Sequence, residues 1–166
     1  ISKRTPLLAD LKPGGRILNN HRKPVAEYLA DVGILGPRTT LGHMAITGGH
    51  SRVDYPRGDE LTILAETGAT IGHCPHKCAK MAFAMESFDQ YLDAGVRIGL
   101  GTDTYPLDIV SEMRYASLIS RLVDRNAAGA RAAAVFNAAT IGGGLATGAR
   151  QSPLPACTWY ARDPDS

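Results

Sequence analysis

Cysteine is scarce in these 166 residues: Cys74, Cys78 and Cys157 are all there is. Three thiols cannot build a disulfide framework, so a reducing, cytoplasmic setting is expected. Neither sign of charge dominates. Lys and Arg number 18 against 16 Asp and Glu, a net charge of +2. That is too little to draw the chain to nucleic acid or an anionic membrane. No apolar run approaches the roughly 20 residues of a membrane span. The opening ISKRTPLLADLKPGGR has no apolar core of the kind a secretory leader needs. There is no Gly-x-Gly-x-x-Gly turn and no phosphate-binding Walker loop, so a doubly wound nucleotide-binding fold gets little support. Ser87 and Ser111 have no base at a recognisable spacing, which leaves a serine hydrolase triad unsupported.

What is present is an ordinary globular composition, 44% hydrophobic and 20% charged. It fills one domain's worth of chain, long enough to bury a core. The first residue is Ile rather than Met, as in a piece of a longer chain.

The middle of the chain alternates between two periods. Pro24 suits a first helical position, and Val25, Tyr28, Leu29 and Val32 follow as an i, i+3, i+4, i+7 stripe ended by Gly33. Residues 39–47, TTLGHMAIT, read as a buried strand with His43 in its second half. A polar loop over 48–58 holds His50. Residues 59–67 read as a helix stopped by Gly68. Residues 69–74, ATIGHC, read as a strand, and 75–82 as a loop. A helix is expected over 84–94 with Met85, Phe88, Tyr91 and Leu92 inward. Residues 96–103, VRIGLGTD, form the third strand, with Gly99 and Gly101 allowing close approach to the backbone. The longest helix is expected from Asp108 to about Arg125, with Tyr115, Leu118, Ile119, Leu122 and Val123 as its inward stripe. An Ala-rich helix follows over 127–140. Residues 1–20 read as an arm, 21–149 as the domain, and 150–166 as a tail without period. Strands alternating with helices imply an α/β fold with a parallel sheet.

Each strand ends on a residue that can carry chemistry: His43, His73 and Asp103. The C-terminal ends of parallel strands share one face, so these three side chains can converge. Imidazole nitrogen and carboxylate oxygen are ligands for zinc or iron; the histidines could instead bind substrate or shuttle protons. The run HCPHKC (residues 73–78) matches no usual zinc spacing and reads as a loop. Surface solvation is the expectation for His21 and His50. Glu86 and Asp89 read as a solvated helix face, and Glu112 as a carboxylate behind the site or on the surface.

Three stretches, PVAEYLADVGILGPRTTLGH, LAETGATIGHCP and LDAGVRIGLGTDTYPLDIVSEMR, come in the order and spacing of the amidohydrolase superfamily. From about His21 to Gly148 the chain resembles its branch of cytosine deaminases, guanine deaminases and triazine hydrolases. The resemblance implies a (β/α)8 TIM barrel, of which this chain is the C-terminal half. It also implies metal-dependent hydrolysis of C–N or C–Cl bonds on a small heterocyclic substrate. Asp103 matches the strand-eight aspartate, a metal ligand that also moves the proton of the attacking water. His43 matches the strand-six histidine, which contacts substrate or the metal-bound water. His73 lies in the strand-seven motif near the substrate. That motif usually continues with a Ser-Asn pair, and here it continues with His76, Lys77 and Cys78.

The departures point to an incomplete site. The family's first-strand His-x-His pair is absent. The strand-five histidine and its glutamate should precede His21. In their place the first sixteen residues weakly resemble the dihydroxy-acid dehydratases. A catalytic zinc takes about three protein ligands plus water, so weak binding of a divalent metal is expected from Asp103 and His43. Half a barrel also leaves open edges and half-covered apolar faces. Such a piece wants a partner, either a second copy in a homo-oligomer or the missing half. The expectation is an aminohydrolase-like fragment with impaired activity, or a non-catalytic α/β fragment that folds only in an assembly.

Overall fold

Three short parallel strands carry the fold. In the computed structural model, which describes residues 21–53, 55–85 and 87–142, β1 (Thr40–Gly42), β2 (Thr70–His73) and β3 (Arg97–Leu100) pair in sequence order. Gly42 stands opposite Gly72, Gly72 opposite Gly99, and His73 opposite Leu100. Helix α1 (Val25–Asp31) precedes β1, and α2 (Glu60–Thr67) leads into β2. Helices α3 (Pro75–Lys80) and α4 (Phe88–Asp93) separate β2 from β3. After β3 come α5 (Ile109–Asp124), α6 (Ala132–Asn137) and a π-helical turn, Ala138–Gly142. The alternation expected from the two hydrophobic periods is therefore present. The arm over 1–20 and the tail over 150–166 lie outside the described residues.

Several boundaries move, each for a local reason. The strand expected over 39–47 is only three residues long, because His43 takes φ +55 and turns the chain out of the sheet. The strands expected to end at Cys74 and Asp103 stop at His73 and Leu100. Residues 75–80, expected to be a loop, form a helix with Pro75 in its first turn, a position where proline's missing N–H is not needed. The helix expected from residue 84 begins at Phe88, where Ser87 Oγ caps it by accepting from Gln90 N–H at 3.0 Å. Residues 127–131 are not helical. Asp89 Oδ2 accepts from Ala130 N–H at 2.8 Å, and Arg121 Nε donates to Gly129 O at 2.9 Å. Asp89 is thus a tether between α4 and this loop rather than a solvated surface group. Pro24 caps α1 from one place earlier than expected.

The core lies between the sheet and its helices and includes Leu64, Ile71, Phe88, Tyr91, Val96, Ile98 and Leu100. Tyr91 buries its ring and donates its hydroxyl to Met44 O at 3.2 Å, so α4 also holds the segment leaving β1. The π turn covers β3, and only glycine fits at 142, where a Cβ would run into the Ile98 carbonyl oxygen.

Helix α5 differs most from expectation. Its buried residues are Glu112, Ala116 and Ser120. Of the expected inward stripe, Tyr115, Leu118, Leu122 and Val123 are exposed, Leu122 by 77%. Val32 of the α1 stripe is exposed as well. A complete amphipathic stripe identifies a helix but not which of its faces packs within the same chain. Among the described residues no helix is long and apolar enough to cross a membrane.

Candidate functional site

The strand ends do bring side chains together. His43 N–H still donates to Gly72 O at 2.9 Å, and Gly101 N–H to His73 O at 2.9 Å. The ladder thus runs one bond past the strands and sets His43 level with His73. Asp103 lies three residues beyond Leu100 and reaches back. Its Oδ2 is 3.2 Å from His43 Nε2, with both side chains partly exposed. Lys77 Nζ, on α3, stands 3.8 Å from the same oxygen.

Both His43 (φ +55) and Asp103 (φ +52) occupy the left-handed region. For residues with a Cβ this costs on the order of 1 kcal/mol each. Such strain persists where surrounding structure holds it, and it concentrates at functional sites. Here it turns two side chains from different strands toward one point.

His73 is buried against Phe88, ring centroids 6.4 Å apart. Burial, helped by the neighbouring His43, pushes its pKa down to about 4, so it is neutral at ordinary pH. The Nδ1 atoms of His43 and His73 and the hydroxyls of Thr102 and Thr104 are buried with no hydrogen-bond partner among the described residues. Orphaned polar atoms are rare in folded proteins. All four lie at the C-terminal ends of the strands or in the turn that follows β3.

Behind this face lies Glu112, which is buried. Its Oε2 accepts from His76 N–H at 3.0 Å, and Oε1 is 3.7 Å from His76 Nδ1. The His76 ring stacks on Tyr115 at 4.9 Å, with 6° between planes. Burial raises the Glu112 pKa, against the lowering effect of the His76 N–H bond. Of the two settings expected for this carboxylate, the one behind the site is the one observed. It ties the α3 turn after β2 to the helix that follows Asp103. Asp108 caps that helix by accepting from Val110 and Ser111 N–H, and Ser111 donates its hydroxyl to Asp108 at 2.5 Å.

Other sequence expectations fall away from this place. His50 is buried rather than solvated. Its Nε2 lies 2.8 Å from Ala84 O, and its Nδ1 accepts from Arg52 N–H at 3.0 Å. It fits there because imidazole offers two polar atoms to a loop that lacks regular pairing. His21 is exposed and stacks on Tyr28. The side chain of Glu86 lies outside the described residues. Cys74 and Cys78 are buried and outside any disulfide, and burial pushes Cys74 up to about 12, so Cys74 stays protonated and is a poor metal ligand. Lys77 is the residue that sequence reasoning passed over. Its signal was the unusual continuation His76-Lys77-Cys78 after the strand-seven motif.

A divalent metal tests this arrangement directly. Catalytic zinc takes three protein ligands plus water. Among the described residues, no group of three or more His, Cys, Asp or Glu could hold a metal ion. His43 and Asp103 supply two donors at most, so these residues do not by themselves fit a catalytic metal.

Comparison with known proteins identifies the family. The amidohydrolase family model matches residues 17–151. The 5-methylthioadenosine/S-adenosylhomocysteine deaminase of Halobacterium salinarum is 35% identical over 136 residues, covering 80% of this chain and 30% of that protein. The counterpart in Natronomonas pharaonis is 41% identical over 88 residues, or 51% of this chain and 20% of that protein. A solved adenosine deaminase from Xanthomonas campestris with bound zinc has 25% identity and a TM-score of 0.68, over 82% of this chain and 30% of its own. The chain thus spans 20% to 30% of the length of these relatives. Its open sheet is part of a TIM barrel, and the zinc-bound neighbour supports a divalent metal as the cofactor class.

Proposed function

Because the chain belongs to the amidohydrolase family, we propose that it supplies the chemistry-bearing strand ends of a metal-dependent hydrolase of non-peptide C–N bonds, an aminohydrolase of the deaminase kind. The observation that carries this reading is the 3.2 Å approach of His43 Nε2 to Asp103 Oδ2 from separate strands, both in strained backbone. A shared proton can pass between an imidazole and a carboxylate over that distance. Asp103 is the residue that takes the proton of the attacking water and a metal ligand. His43 faces substrate and steadies the charge that builds on the ring. His73, neutral and desolvated, offers Nδ1 to the substrate. Since the described residues do not complete a metal site, the remaining donors have to come from beyond them. Zinc is the favoured metal, held weakly by this chain alone.

The relatives act on 5-methylthioadenosine, S-adenosylhomocysteine, 5'-deoxyadenosine and adenosine, as their names state. The substrate class proposed here is therefore a small amino-substituted heterocycle. Water oxygen replaces the ring amine, which leaves as ammonia. Cysteines outside any disulfide among the described residues suit a reducing, cytoplasmic setting.

A second reading, a non-catalytic fragment that folds only in an assembly, is favoured by the exposed apolar face of α5. The two separate on one comparison: ammonia release from adenosine by the chain with zinc, alone and joined to the upstream part of the Halobacterium enzyme. The first reading expects release from the joined protein and its loss in Asp103→Asn. A joined protein that folds, binds zinc and releases nothing supports the second.

A further inference from the structure

We propose that the cleft beside His50 binds a small aromatic monocarboxylate, held by the Arg52 guanidinium. The cleft has a volume of about 320 Å³, at the lower end of the range of ligand sites. Its walls come from the loop after β1, the end of α3, the turn into α4 and Val123 at the end of α5. None of His43, His73 and Asp103 lines it. It is therefore separate from the strand-end site and independent of how that site is read.

The polar wall is stiff. His50 is buried, with Nε2 2.8 Å from Ala84 O and Nδ1 accepting from Arg52 N–H at 3.0 Å. Val53 N–H closes the same turn on His50 O at 3.0 Å. The backbone of Arg52 is thereby fixed at the edge of the cleft, and its guanidinium reaches Ala82 O on the facing wall.

Among the described residues that line the cleft, Arg52 carries the only permanent charge. Its guanidinium makes one hydrogen bond, to that neutral carbonyl, and no carboxylate among the described residues pairs with it. Asp124, next to Val123, accepts instead from the Ser87 and Ser120 hydroxyls. A guanidinium offers five N–H donors in a planar fork that matches a carboxylate, and most of that fork is open. Charge-assisted bonds of this kind are the strong ones. Much of the remaining lining is apolar: Phe83, Val123 and the methyl groups of Ala79, Ala82 and Ala84. An inorganic anion would leave that carbon surface uncovered, and a neutral apolar molecule would leave the cation unanswered. A carboxylate on an aromatic ring meets both walls at once.

The test compares benzoate with benzamide, which match in size and shape and differ in charge. Each is titrated into the full 166-residue chain, with NMR read at the methyl groups of Val123, Ala79 and Ala82. Benzoate is expected to shift these methyls saturably and to bind at least about tenfold more tightly than benzamide, the scale of one charged hydrogen bond. Arg52→Met is expected to erase that preference, and Arg52→Lys, which keeps the charge but loses the fork, to keep part of it. Val123→Trp, which fills the cleft and leaves Arg52 in place, is expected to weaken both probes. Unchanged signals from β2 and β3 serve as the control on folding. Equal affinities for the two probes, or no shift at the cleft methyls with either, would overturn the proposal. Benzoate shifts confined to the His43 and His73 imidazoles would overturn it as well, by placing the carboxylate at the strand ends.

Discussion

The strand-end face and the outer face of α5 make opposite use of their residues. At the strand ends, charged and polar groups meet within the chain: His43 and Lys77 converge on Asp103, and Glu112 holds the next turn. On α5, small and polar residues pack inward while Leu118, Leu122 and Val123 face out. Polar and charged groups are concentrated where the chain supplies their partners. Apolar surface is left where it does not, and exposed patches of that kind mark interaction surfaces.

The largest test of this contrast is a pH dependence. Native His73 titrates near 4, well below an ordinary histidine, so as pH falls the unfolded chain takes the proton first. Its contribution is therefore complete above about pH 6.5 and lost as pH falls toward 4, by up to about 3 kcal/mol. Glu60 and Glu112, whose pKa values burial raises, take up protons more readily in the native than in the unfolded chain as pH falls, and so work in the opposite sense. Urea midpoints at pH 7 and pH 4.5 should differ much less in His73→Gln than in the native chain. An unchanged difference would break this account of the strand-end face.

Next in size is Glu112→Ala, which strands the His76 N–H. It should destabilise by about 1–3 kcal/mol, measured by denaturant unfolding. Glu112→Gln keeps an acceptor and should recover most of that. If both variants match the native chain, the tie between α3 and α5 carries no weight.

The smallest effect belongs to the outer face. Leu122→Gln should change unfolding stability by less than about 0.5 kcal/mol while reducing self-association in sedimentation velocity. A large loss of stability would mean that Leu122 packs within its own chain after all.

How much of this could be read in the sequence follows the same divide. The alternation of strand and helix was readable because both hydrophobic periods are strong, and so were the three strand-end residues. Strand ends were placed too late because left-handed turns at His43 and Asp103 leave no mark in an apolar pattern. Helix α3 was missed because Pro75 reads as a breaker until it stands in a first turn. The inward face of α5 was misread because its apolar stripe is genuine and only its partner lies elsewhere. His50 and Asp89 were taken for surface groups because their partners, Ala84 O and Ala130 N–H, are backbone atoms distant in sequence.

The most direct measurement is ammonia release from adenosine by the joined, zinc-loaded protein with and without Asp103→Asn. The account predicts release by the parent and a fall of at least about a hundredfold in the variant, the scale of a lost proton-transfer group. A variant that retains parental activity would contradict the assignment of Asp103, and with it the site.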